Sequence, residues 1–264
     1  MSDQQVIVDR DGSVATIRMN NPARLNVLNK KLTAELIDAL SEAGSDDGVR
    51  AIVLTGEGRG FCAGADLGEL EASYRSGERP KLSPILTEGY NRLIPLLVES
   101  PKPVVAEVNG VAAGAGVSLA LACDLRLAAD NASFNMAFVR IGLIPDSGAC
   151  FLLPRAVGMG KALELALLSE KVDATTALDI GLVNRVVPAD RLQDEAHALA
   201  VRLAQLPTKA MAMTKQTFQA ATRLTLAETM ELEAEVQDRA AATDDHMEGV
   251  MAFLDKRPPA FKGH

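Results

Sequence analysis

The chain has 264 residues and a formal charge of −8, from 27 Lys plus Arg against 35 Asp plus Glu, with 48% hydrophobic residues, 3% aromatics and no Trp. That length and apolar content suit one large α/β unit with a helical appendage, whose core must come from Leu, Val, Ile, Ala and Met. The acidic balance and the lack of aromatic stacking platforms exclude nucleic acid as the main partner, because phosphate binding needs a concentrated positive surface.

Gln5–Asp9 and Val14–Met19 alternate about Asp11-Gly12, which predicts a hairpin. After Asn21-Pro22, helical spacing of Leu32, Leu36, Ile37 and Leu40 predicts a helix from about Asn29 to Ala43. Ala51–Thr55, Pro103–Val108 and Leu125–Ala128 are short apolar runs bounded by turns and read as buried strands. Glycine-rich turns at Gly56–Gly64 and Gly110–Gly116 follow two of these strands, each leading into a helix, the second expected to begin near Val117. That rhythm implies parallel strands with helical crossovers.

Ser73–Ser83, polar with Gly77 and Pro80, is the best candidate for a mobile loop. From about Gly160 the chain is nearly all helix-periodic, over Lys161–Ser169, Asp190–Leu206, Thr208–Ala221 and Leu226–Ala242. A sheet-based core over 1–200 followed by a helical region over 201–264 is the organisation expected.

Cys62, Cys123 and Cys150 lie far apart with no CxxC pair, which argues against a disulfide framework or a metal site and fits a reducing cytoplasm. The start, Met1–Gln5, is polar and lacks the order of a signal peptide. The apolar stretch 104–129 is broken by Glu107, Asn109, Asp124 and Arg126, so no membrane crossing is expected.

The two glycine-rich loops leave main-chain amides free to donate, and small residues at Ala63, Gly64 and Ala65 allow close approach. Each alone reads more readily as a turn into a helix, with Asp66 as the cap. Together, on neighbouring parallel strands, they would set one donor from each loop around an anion. Gly114-Ala115-Gly116 starts like a dinucleotide fingerprint, but Leu119 stands where its third glycine belongs. No GxSxG elbow is present, and His197, His246 and His264 read as surface residues.

Carboxylates remain as acid/base groups, and Asp146 stands out in Gly142-Leu143-Ile144-Pro145-Asp146-Ser147-Gly148. It precedes a helix expected near Gly148, so it could be an N-cap or a proton carrier. Capping amides would lower its pKa and apolar burial would raise it; from the residues alone the two readings stand even.

These segments, in order, resemble the crotonase (enoyl-CoA hydratase/isomerase) superfamily across essentially the whole chain. The match includes Asn21–Leu28, Phe61–Leu67, Gly110–Asp124, Gly142–Asp146 and Glu248–Arg257. The resemblance implies an α/β spiral of ββα units (ClpP-like), a C-terminal helical trimerisation region, and trimers or dimers of trimers. It implies an acyl-CoA thioester as substrate, with coenzyme A as part of that substrate and no tightly bound cofactor. By motif position the Ala65 and Ala115 amides would form an oxyanion hole. Arg24, Ala63, Asp66 and Leu67 would lie along the coenzyme A moiety, and Phe261 and Lys262 would reach a neighbouring subunit's ligand.

Hydratases of the family place two glutamates around the reacting carbons; this chain has Ser118 and Phe138 there. Asp146 matches a proton-handling position of isomerase members. The stretches 110–124 and 135–146 look most like ring-epoxide isomerases acting on phenylacetyl-CoA derivatives. The resemblance therefore implies isomerisation, with Asp146 as the proton carrier and Phe134, Phe138 and Ile144 keeping water out.

Overall fold

The computed structural model describes residues 4–264; the polar start read above includes residues 1–3, which lie outside the described residues. Strands β1 (Val6–Asp11) and β2 (Val14–Met19) form the expected antiparallel hairpin around Gly12, whose φ of +55 suits a residue without a side chain. Helix α1 (Lys30–Ser45) follows, with the Asn29 side chain accepting from Leu32 N at 2.8 Å as an N-cap. Its predicted stripe of Leu32, Leu36, Ile37 and Leu40 is buried in the main core.

Three strand pairs then repeat. β3 (Ala51–Gly56) leads to β4 (Gly60–Cys62), β5 (Val104–Val108) to β6 (Val111–Ala113), and β7 (Leu125–Ala129) to β8 (Ser133–Asn135). Helices α2 (Glu71–Arg75), α3 (Ser83–Ile85) and α4 (Asn91–Val98) separate the first two pairs, with a π-type turn at Leu86–Tyr90. Helix α5 (Ala115–Ala122) separates the second and third. Helices α6 (Ala149–Val157) and α7 (Met159–Leu168) then lead to β9 (Val172–Asp173), α8 (Ala174–Asp179) and β10 (Arg185–Val187).

The first strand of each pair joins a six-stranded sheet, ordered β1-β2-β3-β5-β7-β10 and parallel beyond the hairpin. The second joins a four-stranded sheet, β4-β6-β8-β9. This is the spiral of ββα units that was expected. β4 and β6 of the second sheet thus lie inside the two glycine-rich segments, and Ala65 and Ala115 follow shortly after them.

Four local expectations change. The short strands β4 and β6 lie inside the glycine-rich segments that read as turns, because three residues show no period, and β8 falls in a stretch with no predicted element. β9 and β10 interrupt the region after Gly160 that read as nearly all helix. Helix α5 begins at Ala115 rather than Val117. The stretch Ser73–Ser83 carries the end of α2 at its start.

Helix α9 (Leu192–Ala204) lies on the outer face of the larger sheet. Ala200 and Ala204 pack on Val14, Ala51 and Val53, where small side chains let helix and sheet approach closely. Residue 200, the expected boundary, falls inside it. Helices α10 (Thr208–Ala221), α11 (Leu226–Ala241) and α12 (Asp244–Leu254) complete the chain. The tail folds back on them. Buried Asp245 accepts from Lys262 N (2.6 Å) and Gly263 N (2.8 Å), and Arg50 donates to the Phe261 carbonyl at 2.8 Å.

Candidate active site

The two glycine-rich loops meet main chain to main chain. Gly64 has a φ of +90, and a β-carbon there would lie 2.7 Å from Ala113 O and 3.4 Å from Ala115 N. A β-carbon on Gly116 would fall 2.0 Å from Cys62 O. Only glycine allows this approach.

Ala65 forms a parallel bridge with Leu28: Leu28 N donates to Gly64 O (2.7 Å) and Asp66 N donates to Leu28 O (3.2 Å). The bridge thus uses the neighbours of Ala65, leaving its own N–H directed to the other side. Ala115 is the first residue of α5, where an amide has no acceptor within its helix. Among the described residues neither amide has a protein acceptor. Two unengaged donors on touching segments, one at a helix N-terminus, can together stabilise an oxyanion.

Asp146 stands on the loop before α6. Its carbonyl accepts from Ala149 N (2.9 Å) and from the Ser118 hydroxyl (3.1 Å), which fastens the loop to α5. Its side chain caps nothing; Gly148, at a φ of +77, occupies the cap position. The carboxylate Oδ1 accepts instead from Ser147 Oγ at 2.9 Å. Burial pushes the Asp146 carboxyl above the usual range, and the Ser147 hydrogen bond pulls back only partly. Of the two opposed influences weighed from the sequence, burial prevails, so the capping reading falls.

Tyr90 is buried and its hydroxyl donates to Leu28 O at 3.0 Å. Burial raises its pKa, and the neighbouring Cys62 and Asp146 add to the rise, which places all three groups around one region. Cys62 is fully buried with its thiol pushed up to about 12, mainly by burial, so it offers no thiolate nucleophile.

Ser118 is fully buried, its hydroxyl engaged with the Asp146 main chain. The Phe138 ring stands 3.8 Å from where a Gly114 β-carbon would sit, so an apolar wall borders the second loop. Phe134 is in the core. Ile144 is 78% exposed and shields nothing within the chain, contrary to the expectation.

Arg24 grips Asp66 through both terminal guanidinium nitrogens, Nη1 to Oδ2 and Nη2 to Oδ1, the latter at 2.6 Å, and Asp66 also accepts from Gly68 N at 2.9 Å, capping the next turn as expected. The Asp66 side chain is 3% exposed and that of Arg24 53%, so the pair forms a rim with its cation outward. Ala63 N is used by Leu25 O (2.9 Å), and Leu67 is exposed beside them. Lys262 is not at this site of its own chain. Its neighbours Phe261 and Gly263 both adjoin Arg50, at the start of β3, whereas the candidate site lies beyond the ends of β3 and β5. His246 and His264 are exposed as expected; His197 is half-buried, with Nε2 3.1 Å from Asp11.

Sequence reasoning missed Ser147 and Tyr90. The Asp-Ser-Gly string, a turn signature beside a carboxylate, could have flagged the first. Nothing local points to Tyr90. Of the cavities, one lies away from these residues and another borders Tyr90 and Leu28. The first, of about 630 Å³, sits on the outer sheet face near Thr55, Glu107 and His197; the second, of about 410 Å³, runs between α1 and the π turn past Thr33 and Tyr90.

A sequence profile described as enoyl-CoA hydratase/isomerase matches residues 9–264. The chain belongs to that family. This crotonase-family protein is 43% identical to the 1,2-epoxyphenylacetyl-CoA isomerase of Escherichia coli, over 95% of each chain. It is 35% identical to the 2,3-dehydroadipyl-CoA hydratase of the same organism, over 98% of this chain and 99% of that one. Among solved structures, the enoyl-CoA hydratase of Bacillus anthracis superposes with a TM-score of 0.92 at 32% identity, covering 99% of this chain and all of that one. Relatives of both names surround it, so the family assignment leaves the choice between the two reactions to the site residues.

Proposed function

We propose that this enzyme isomerises an acyl-CoA thioester by moving a proton along its acyl chain. The amides of Ala65 and Ala115 polarise the thioester carbonyl, which lowers the cost of removing an α- or γ-proton. Asp146 takes that proton, the charge of the resulting dienolate is gathered by the two amides, and the acid returns the proton to another carbon. The observation that carries this reading is Asp146 itself. It is half-buried, has no ion-pair partner among the described residues, and has its pKa raised by burial, while Ser118 and Phe138 offer no second base.

The similarity to an epoxyphenylacetyl-CoA isomerase makes a ring-epoxide thioester a candidate substrate alongside straight-chain enoyl-CoA. Arg24, Ala63, Asp66 and Leu67 are proposed to border the coenzyme A moiety. Exposed apolar residues on the C-terminal helices, including Phe218 (74%), Leu226 (78%) and Phe253 (82%), support assembly into a trimer or dimer of trimers, with Lys262 directed to a neighbour's ligand.

The test is exchange of α- and γ-protons with deuterated solvent on a panel of enoyl-CoA and phenylacetyl-CoA-derived thioesters. Asp146→Asn should fold normally and lose isomerisation by about 10²–10⁴. Full activity in that variant overturns the assignment. Efficient hydration of crotonyl-CoA would favour a hydratase working from Asp146 alone, and tight binding with no exchange would favour a silent acyl-CoA binder.

A further inference from the structure

We infer that Ser147 is a positioning residue for proton transfer: its hydroxyl engages Oδ1 of Asp146, so the transferred proton rides on Oδ2. This rests on the reading of Asp146 as the proton carrier, and it assigns the two carboxylate oxygens different duties.

Ser147 has a φ of +52, making it one of five non-glycine residues described in the left-handed region. Gly148 follows at +77, so the chain makes two consecutive left-handed steps before α6. Such a backbone favours glycine, and serine there carries strain that glycine would avoid. The serine is also only 4% exposed, so its hydroxyl cannot be explained by contact with water. That hydroxyl finds its partner in Asp146 Oδ1, 2.9 Å away.

A hydroxyl has a single hydrogen to give. Given to Oδ1, it stays in place whether Asp146 is ionised or carries a proton on Oδ2. It binds the ionised form more strongly, so it counters the effect of burial without forcing the acid to remain charged. The proton leaves a substrate carbon, bonds to Oδ2, and departs from Oδ2 to a second carbon; Ser147 keeps its own hydrogen throughout.

The surrounding titratable groups leave this balance to Ser147. Tyr90, at the end of the π turn, has its hydroxyl on Leu28 O, is held neutral mainly by burial, and feels the Asp146 charge; Cys62 of β4 is likewise held neutral by burial. Asp66 and Glu69 lie near Tyr90, and their charge opposes its ionisation. On α6, the Cys150 thiol turns to the Pro145 carbonyl at 3.2 Å. From α5, Ser118 meets the Asp146 main chain and leaves the carboxylate alone.

The experiment titrates the Asp146 carboxyl directly, by carbon NMR of aspartate-labelled protein without substrate, using Asp146→Asn to identify the signal. In both Ser147→Gly and Ser147→Ala the midpoint should move to higher pH by about one unit, the size expected for losing one hydrogen bond to a charged group. Ser147→Gly should also melt no lower than the parent, because it relieves the backbone. A looser, wetter loop would move the midpoint downward instead. An unmoved or lowered midpoint in the folded variants overturns the role of Ser147. If Asp146→Asn still exchanges substrate protons, the reading of the acid has failed, whatever Ser147 does.

Discussion

Gly64 sits so close to Ala115 that a side chain on the first would press on the main chain bearing the amide of the second. The distances, 3.4 Å to Ala115 N and 2.7 Å to Ala113 O, are too short for a β-carbon beside rigid backbone, and the φ of +90 adds strain. Gly64→Ala should therefore part the two loops. With one donor misplaced, kcat should fall by about 10²–10³. Steady-state kinetics on the best thioester, with circular dichroism to confirm folding, checks this; a variant with unchanged kcat would show that the two amides do not act together.

Arg24→Ala leaves the nearly buried Asp66 carboxylate with only the Gly68 amide as partner. Because Arg24 is half exposed, the cost is smaller than for a buried pair, about 1–2 kcal/mol. If the rim borders coenzyme A, KM should rise while kcat changes little. Chemical denaturation and KM for one thioester measure the two effects separately.

Ser118→Ala removes the hydroxyl that fastens the Asp146 carbonyl to α5. Stability should drop by about 1 kcal/mol, the net value of one such hydrogen bond. A freer Asp146 should lower kcat by roughly 10-fold, since small misplacements of a reacting group are costly. Retention of full kcat would show that the loop holds its place without Ser118.

Glu107 predicts a pH dependence away from the site. It is 8% exposed, and burial pushes its carboxyl up to about 7, with the Thr55 hydroxyl and Arg18 pulling the other way. The folded protein then keeps a proton that the unfolded chain, near 4.5, has already lost. This contribution is fully present below about pH 4.5 and is lost as pH rises to about 7, by at most about 3 kcal/mol. Glu107→Gln should match the parent near pH 5 and exceed its stability at pH 8, as measured by urea unfolding at both values.

The hairpin, α1 and the strands β3, β5 and β7 are legible in the sequence because each has an apolar period or run long enough to read. β4, β6, β8, β9 and β10 are not, since two or three residues carry no pattern. That is why the second sheet, whose strands β4 and β6 run through both glycine-rich segments, could be reached only through the family resemblance. Asp146 is legible as a residue, but its chemistry is not. The cap reading falls because Gly148 takes the cap position, and the loop is held by Ser118, 28 positions away. The clasp of Arg24 on Asp66 spans 42 positions and likewise leaves no local mark.

The backing of each glycine-rich segment by a strand of the second sheet, β4 or β6, has a kinetic meaning. On the proposed mechanism, an incoming carbonyl would meet dipoles that are already aimed, so no segment would need to be frozen when the enolate forms. The ordering was completed when the chain folded. The catalytic step should therefore show a small entropy of activation, and bound enolate mimics should leave the main chain around Gly64 and Gly114 almost where it stands in the empty protein.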